Sequence, residues 1–78
     1  MLALENRKHA IVEVGNNWND IIEQIGNKPV DMISGVKMLT EEVMLAIDSA
    51  DKENIEKYRK NCKKIAALAL HLSCATTE

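Results

Sequence analysis

The chain has 78 residues, enough for one domain at most. Its net charge is −2 and its pI is near 5.7, which disfavours nucleic acid as a partner because general nucleic-acid-binding proteins are usually basic. No stretch reaches the roughly 18 apolar residues of a membrane span, so no membrane contact is expected. With Trp18 and Tyr58 as the only aromatic residues, the Leu, Ile, Met and Ala content is typical of an all-α protein.

Residues 1–26 have apolar residues at helical spacing. The segment GNN at 15–17 interrupts this pattern, because Gly15 is suited to ending a helix and the asparagines after it to capping another. We therefore predict two short helices, although the stripe keeps its phase across the break and would also fit one continuous helix. The stripe consists of Leu4, Ile11, Val14, Trp18, Ile21, Ile22 and Ile25.

Residues 29–74 predict a long antiparallel helical hairpin, which brings the total to three or four helices. Gly26 is suited to the position after a helix end and Pro29 to the first turn of the next helix. Ser49 or Asp51 is suited to capping the last helix. The predicted core face consists of Met32, Ile33, Val36, Leu39, Val43, Ala46 and Ile47 on one helix and, as a heptad seam, Ile55, Tyr58, Cys62, Ile65, Ala69 and Leu72 on the other.

Four further apolar residues, Met38, Leu45, Leu68 and Leu70, fall outside this core face, and the last helix is apolar on most sides beyond Lys64. A helix that is hydrophobic nearly all round is buried nearly all round, which is difficult for a monomer of this size. We therefore predict a homodimer or higher homo-oligomer in which hairpins pair into a bundle through these four residues. The alternative is that they are isolated surface residues.

Two cysteines, Cys62 and Cys74, fall in one helical pattern about 18 Å apart along the axis, too far to bridge each other. We expect small buried or half-buried free thiols, which fits a reducing cytoplasm. The N-terminal MLALENRKHA is apolar and then charged, the reverse of a secretory signal. The expected location is cytoplasmic.

Glu41 and Glu42 form the one carboxylate cluster on a long helix. Adjacent helical residues point about 100° apart, whereas a helical magnesium site usually needs acids three or four positions apart. Because the position three after Glu42 is Leu45, a solvated acidic edge is the simpler interpretation and magnesium binding by the pair is the alternative.

The last helix carries a basic cluster formed by Lys57, Arg59, Lys60, Lys63 and Lys64. At about 100° per residue, Lys60, Lys63 and Lys64 fall opposite the heptad seam, which predicts a solvated face. The alternative is that Lys57 and these three lysines contact a phosphate, a nucleotide or an acidic partner, because so many cations create a local positive potential. We interpret His9 and His71 as surface or helix-end residues.

The segment LTEEVMLAIDSADKENIEKYRKNCKKIAALAL, residues 39–70, resembles the MazG-type all-α nucleoside triphosphate pyrophosphohydrolases, especially their short phage-associated members. Those proteins have a helix with an EExxE signature, a turn, and a helix with ExxD that runs into an alanine- and leucine-rich stretch. The resemblance implies a magnesium ion held by acids on two helices and attack of water on a nucleotide phosphate.

In this sequence Glu41 and Glu42 match the paired start of EExxE, and its last acid falls on Leu45. The acids of ExxD fall on Asn61 and Lys64. The resemblance therefore implies a relative without catalytic residues, since magnesium needs several hard oxygen ligands on one face.

Two functions follow as hypotheses. The first is a non-catalytic, cytoplasmic interaction module that acts through protein–protein contacts and needs no cofactor, as a small phage-encoded accessory or inhibitor protein would. The alternative is nucleotide binding or residual pyrophosphohydrolase activity, with magnesium on Glu41 and Glu42 and with lysines as phosphate contacts.

Overall fold

The computed structural model describes residues 7–26 and 28–75. Within these residues the chain forms three α-helices and no strand, which confirms the all-α prediction. The helices are α1, Arg7–Ile25; α2, Met32–Asp51; and α3, Ile55–Ala75. The predicted stripe residue Leu4 lies outside the described residues.

Helix α1 is continuous, so the predicted break at Gly15 is wrong. Gly15 is exposed, and a Cβ atom placed on it would meet no atom within 4 Å. Glycine inside a helix costs about 0.5–1 kcal/mol relative to alanine. The in-phase apolar stripe offsets this cost, because Val14, Trp18 and Ile25 pack against the core around buried Ile21.

Helix α1 ends at Gly26, whose φ of 78° is the left-handed conformation that glycine adopts most easily. Helix α2 begins after Pro29 rather than at it, because Asp31 is the N-cap residue. The Asp31 carboxylate accepts a hydrogen bond from the backbone N–H of Ser34 at 3.2 Å. Hydrogen bonds from the side chain and then the backbone of Ser34 lower the pKa of Asp31.

The connection between α2 and α3 is a tight turn in which Glu53 has a left-handed backbone with φ 53°. The backbone N–H of Asn54 donates to the carbonyl oxygen of Ser49 at 2.9 Å, as in a Schellman motif. The Asn54 side-chain oxygen then accepts from the backbone N–H of Lys57 at 3.1 Å. Asn54 therefore caps α3, and the predicted caps are wrong because α2 continues through Asp51.

Helices α2 and α3 pack antiparallel along their length. Near the turn, Ser49 meets Asn61, and at the open end a Cβ atom on Gly35 would lie 3.3 Å from a methyl group of Leu72. Helix α3 also packs against α1, so it is the central helix of the three. The buried core cluster consists of Ile21, Ala67, Leu68 and Leu72.

The core lies on a different side of the hairpin from the predicted core face. Helix α1 covers the side of α3 that contains Leu68, so the residues predicted to face inward are mostly exposed. The exposed apolar stripe of α2 lies beside that of α3, because Val36 of α2 and Ala69 of α3 line one surface groove. We call this surface the hairpin face; it comprises Met32, Val36, Val43, Ile47, Ile55, Tyr58, Cys62 and Ala69.

Candidate functional site

A surface cavity of about 430 Å³ opens where the three helices meet. It gathers Glu42 and three of the four lysines predicted as phosphate contacts, whereas Glu41 and Lys63 do not line it. We call it the lysine groove; its lining residues are Glu13, Asn17, Glu42, Leu45, Lys57, Lys60, Asn61 and Lys64.

The carboxylate of Glu13, on α1, is occupied on both oxygens. Lys63 of α3 lies 2.7 Å from Oε2, and His9 lies 2.6 Å from Oε1. The hydrogen bond from Lys63 is the main reason that the pKa of Glu13 is lowered. Lys63 therefore ties α1 to α3 and is not available as the predicted phosphate contact.

Glu42, on α2, faces Lys64 of α3 across the groove at 3.5 Å between Oε1 and Nζ. Its other oxygen, Oε2, is buried and has no hydrogen-bond partner. Glu41 is exposed and lies outside the lysine groove. Within the described residues, no group of three or more histidines, cysteines or acids is arranged to hold a metal ion.

Lys57 and Lys60 complete the basic side of the groove. In the described part of the chain neither forms an ion pair within 4.0 Å, although Lys60 contributes to lowering the pKa of Glu13. Once Glu13 is neutralised by Lys63 and Glu42 by Lys64, two ammonium groups remain without a paired carboxylate. The groove therefore has a positive charge excess.

Asn61 lies at the bottom of the groove with only 8% of its surface exposed. The hydroxyl group of buried Ser49 lies 3.3 Å from the side-chain oxygen of Asn61 and 3.1 Å from the backbone oxygen of Leu45, so these two acceptors share its one proton. The amide NH₂ is then the end that can donate into the groove. The sequence interpretation missed this role, because it treated Asn61 only as a position lacking an acid.

His71 is buried, with 4% of its surface exposed, so its predicted surface or helix-end role is wrong. The indole N–H of Trp18 donates to its Nδ1 atom at 3.2 Å and links α1 to α3. Because Nδ1 accepts, the ring proton of the neutral imidazole lies on Nε2, which is buried without a partner. The sequence did contain a signal, since His71 follows Leu68 by three positions on the same helical side.

The four residues predicted as an oligomer interface do not form one surface. Leu68 is 5% exposed in the core, and Met38 packs against that core, because α1 lies over them. Leu45 is 49% exposed but lines the lysine groove, and Leu70 is exposed on α3. The large apolar surface of the described residues is instead the hairpin face.

Both cysteines are free and exposed, rather than buried or half-buried as predicted. Cys62 is exposed because the heptad seam to which it belongs faces away from the core. Its thiol also raises the pKa of neighbouring Tyr58 by hydrogen bonding. Among the described helices, none combines the length and the apolar character needed to cross a membrane.

Comparison with protein-family models, with curated proteins and with solved structures finds no match to this chain.

Proposed function

We propose that this chain is a non-catalytic interaction module that pairs with a second copy of itself through the hairpin face. The observation that carries the proposal is the exposure of large apolar side chains on both helices of the hairpin: Val36 is 61% exposed, Ile47 55% and Ile55 63%. Contiguous exposed apolar patches of this kind mark interaction sites, because water is displaced when a partner covers them.

The spacing on α3 supports a helical partner. Ile55, Tyr58, Cys62 and Ala69 follow one another at steps of three, four and seven residues, as in a heptad seam, yet in one chain this seam faces outward. A seam with this spacing packs best against helices that carry a matching stripe. The α2 and α3 stripes of a second copy provide it, and two hairpins then form a four-helix bundle.

The area of the face is close to what a stable interface needs. Helices about 30 Å long and about 10 Å apart present several hundred Å², which approaches the roughly 800 Å² that each partner contributes to a stable interface. A two-fold pair would bury the same patch on both copies, as in most homodimers. A small accessory or inhibitor protein built in this way acts by contact rather than by chemistry.

Sedimentation velocity on single-residue variants tests the proposal. Val36→Glu and Ile47→Lys place charges in the hairpin face and should convert the dimer to a monomer, while circular dichroism remains helical. Val12→Glu is the matched control, since Val12 is 58% exposed on α1, outside the hairpin face. A wild-type chain that sediments as a monomer at all concentrations, or variants that dimerise normally, would overturn the proposal.

A second candidate is nucleotide binding with residual pyrophosphohydrolase activity. The specific observation that favours it is that Glu42, Lys60 and Lys64 line one groove. Incubation with deoxynucleoside triphosphates and magnesium, with pyrophosphate release as the readout, tests the hydrolysis. Release that disappears in Glu42→Gln would support the activity, and its absence in the wild-type chain would exclude it.

A further inference from the structure

We infer that the lysine groove binds, without a metal ion, a small molecule that carries both a phosphate group and a hydroxyl or amino donor. This inference rests on the groove of the second candidate function but requires no hydrolysis. It also requires no self-association, because α1 contributes Glu13 and Asn17 to the groove, away from the hairpin face.

The charge of the groove selects an anion. Lys57 and Lys60 face the cavity without an ion pair in the described part of the chain. The negative charge of Glu13 is already satisfied by Lys63 at 2.7 Å and His9 at 2.6 Å. A phosphate dianion matches two unpaired ammonium groups, and hydrogen bonds between charged groups are about twice as strong as neutral ones.

Asn61 adds a fixed donor to these two mobile charges. Asn61 is more than nine-tenths buried, and its oxygen lies 3.3 Å from the Ser49 hydroxyl, so its NH₂ group is the end left to donate into the groove. A phosphate oxygen is an acceptor that two ammonium groups and an amide can share. Lys64 stays within 3.5 Å of Glu42 and keeps that carboxylate neutralised beside the bound anion.

Glu42 specifies the second feature of the ligand. Its Oε2 atom is buried and accepts no hydrogen bond, which is costly for a carboxylate oxygen. A phosphate cannot supply the missing donor, since its oxygens are acceptors at neutral pH. A hydroxyl or amino group on the body of the ligand can, once the Glu42 carboxylate turns to present this atom to the groove that it lines. This donor distinguishes an organic phosphate from inorganic phosphate.

The chemistry of the groove also explains why metal is not required. Lys57, Lys60 and the amide group of Asn61 offer N–H donors rather than the oxygen ligands that magnesium prefers. Donors of this kind contact phosphate oxygens directly and replace the charge that a divalent cation would otherwise provide.

Titration with two probes, adenosine monophosphate and inorganic phosphate, tests the inference by calorimetry and by amide chemical shifts. Both titrations are made at low ionic strength in the presence of EDTA. The variants are Lys60→Gln, which removes one unpaired charge, and Glu42→Gln, which alters the acceptor. Lys52→Gln is the matched control, because Lys52 pairs with Asp48 at 3.1 Å outside the groove.

We expect adenosine monophosphate to bind without metal and more tightly than inorganic phosphate, with shifts at groove residues. Lys60→Gln should weaken its binding by about tenfold, as expected for a charge-assisted hydrogen bond, and Lys52→Gln should not. Glu42→Gln should reduce the preference for the organic phosphate. Circular dichroism shows whether each variant remains helical.

Several results would overturn the inference: no binding of either probe, binding that requires magnesium, or equal binding by Lys60→Gln and the wild-type chain. Equal affinity for both probes would overturn the assignment of a donor to Glu42. Repeating the titration with Val36→Glu separates the two proposals. Adenosine monophosphate should still bind to this variant, because the groove does not depend on the dimer. If the wild-type chain binds neither probe but sediments as a dimer, only the groove inference fails.

Discussion

At the scale of single residues, two polar pairs link α1 to α3 in addition to the apolar core. Trp18 bonds to His71 at 3.2 Å across 53 positions of sequence, and Lys63 meets Glu13 at 2.7 Å across 50. Such pairs are not visible in a helical wheel, because each depends on how two helices are placed. At this scale the sequence predicted that the lysines form one face, but it could not predict which acids would neutralise them.

The Trp18–His71 hydrogen bond should contribute measurably to stability. Trp18→Phe keeps an aromatic ring but removes the N–H donor, which leaves Nδ1 of buried His71 unpaired. We expect a loss of about 1–3 kcal/mol in the free energy of unfolding, measured by urea denaturation. A double-mutant cycle with His71→Phe isolates the bond; strictly additive effects of the two substitutions would show that it contributes nothing.

Stability should fall in acid because the pKa values of Glu13 and Asp31 are lowered. The main cause is a hydrogen bond from Lys63 to Glu13 and hydrogen bonding from Ser34 to Asp31. A folded-state pKa below the unfolded one stabilises the fold at neutral pH. This contribution is lost as the pH falls below the ordinary pKa values, 4.5 for Glu13 and 3.8 for Asp31, and then through the lower pKa values of the folded state.

The pH dependence is tested by urea denaturation at neutral pH and at pH values below 4.5 and 3.8. Glu13→Gln and Asp31→Asn should each make the fall in the urea midpoint less steep, because the substituted side chain no longer titrates. The control is Glu23→Gln, at an exposed position on α1. Wild-type-like acid sensitivity in both variants would contradict the assignment.

At the scale of helices, two glycines with opposite roles define α1. Gly15 lies inside the helix with no atom within 4 Å of its absent Cβ, and Gly26 ends the helix at φ 78°. Gly15→Ala should raise the free energy of unfolding by about 1 kcal/mol. Gly26→Ala should lower it by about the same amount, because a Cβ atom is strained at positive φ.

Thermal and urea unfolding of the two glycine variants provides the measurement. The pair is its own control, since both substitutions add one methyl group to the same helix. A destabilised Gly15→Ala variant would show that α1 is interrupted at 15–17, as the sequence pattern alone suggested. The position of Gly26 could be predicted because a glycine before Pro29 is a local signal, whereas continuity through Gly15 depends on tertiary packing.

At the scale of the whole molecule, the hairpin has two apolar sides, and α1 covers one of them. Periodicity placed Ile55 in the core face and Leu68 outside it, whereas in the structure Leu68 is buried and Ile55 is exposed. The side that faces the core depends on where α1 docks, which no local pattern specifies. The lysine groove was hidden for the same reason, because Glu13 and Asn17 reach it from α1.

The central claim, that a second copy covers the hairpin face, is tested most directly by comparing the reactivity of the two thiols. Cys62 lies on the hairpin face and Cys74 lies outside it, and both are exposed in the single chain. We predict that a maleimide labels Cys62 far more slowly than Cys74 at high protein concentration. The difference should disappear on dilution and in Val36→Glu, whereas equal labelling of both thiols at every concentration would contradict the claim.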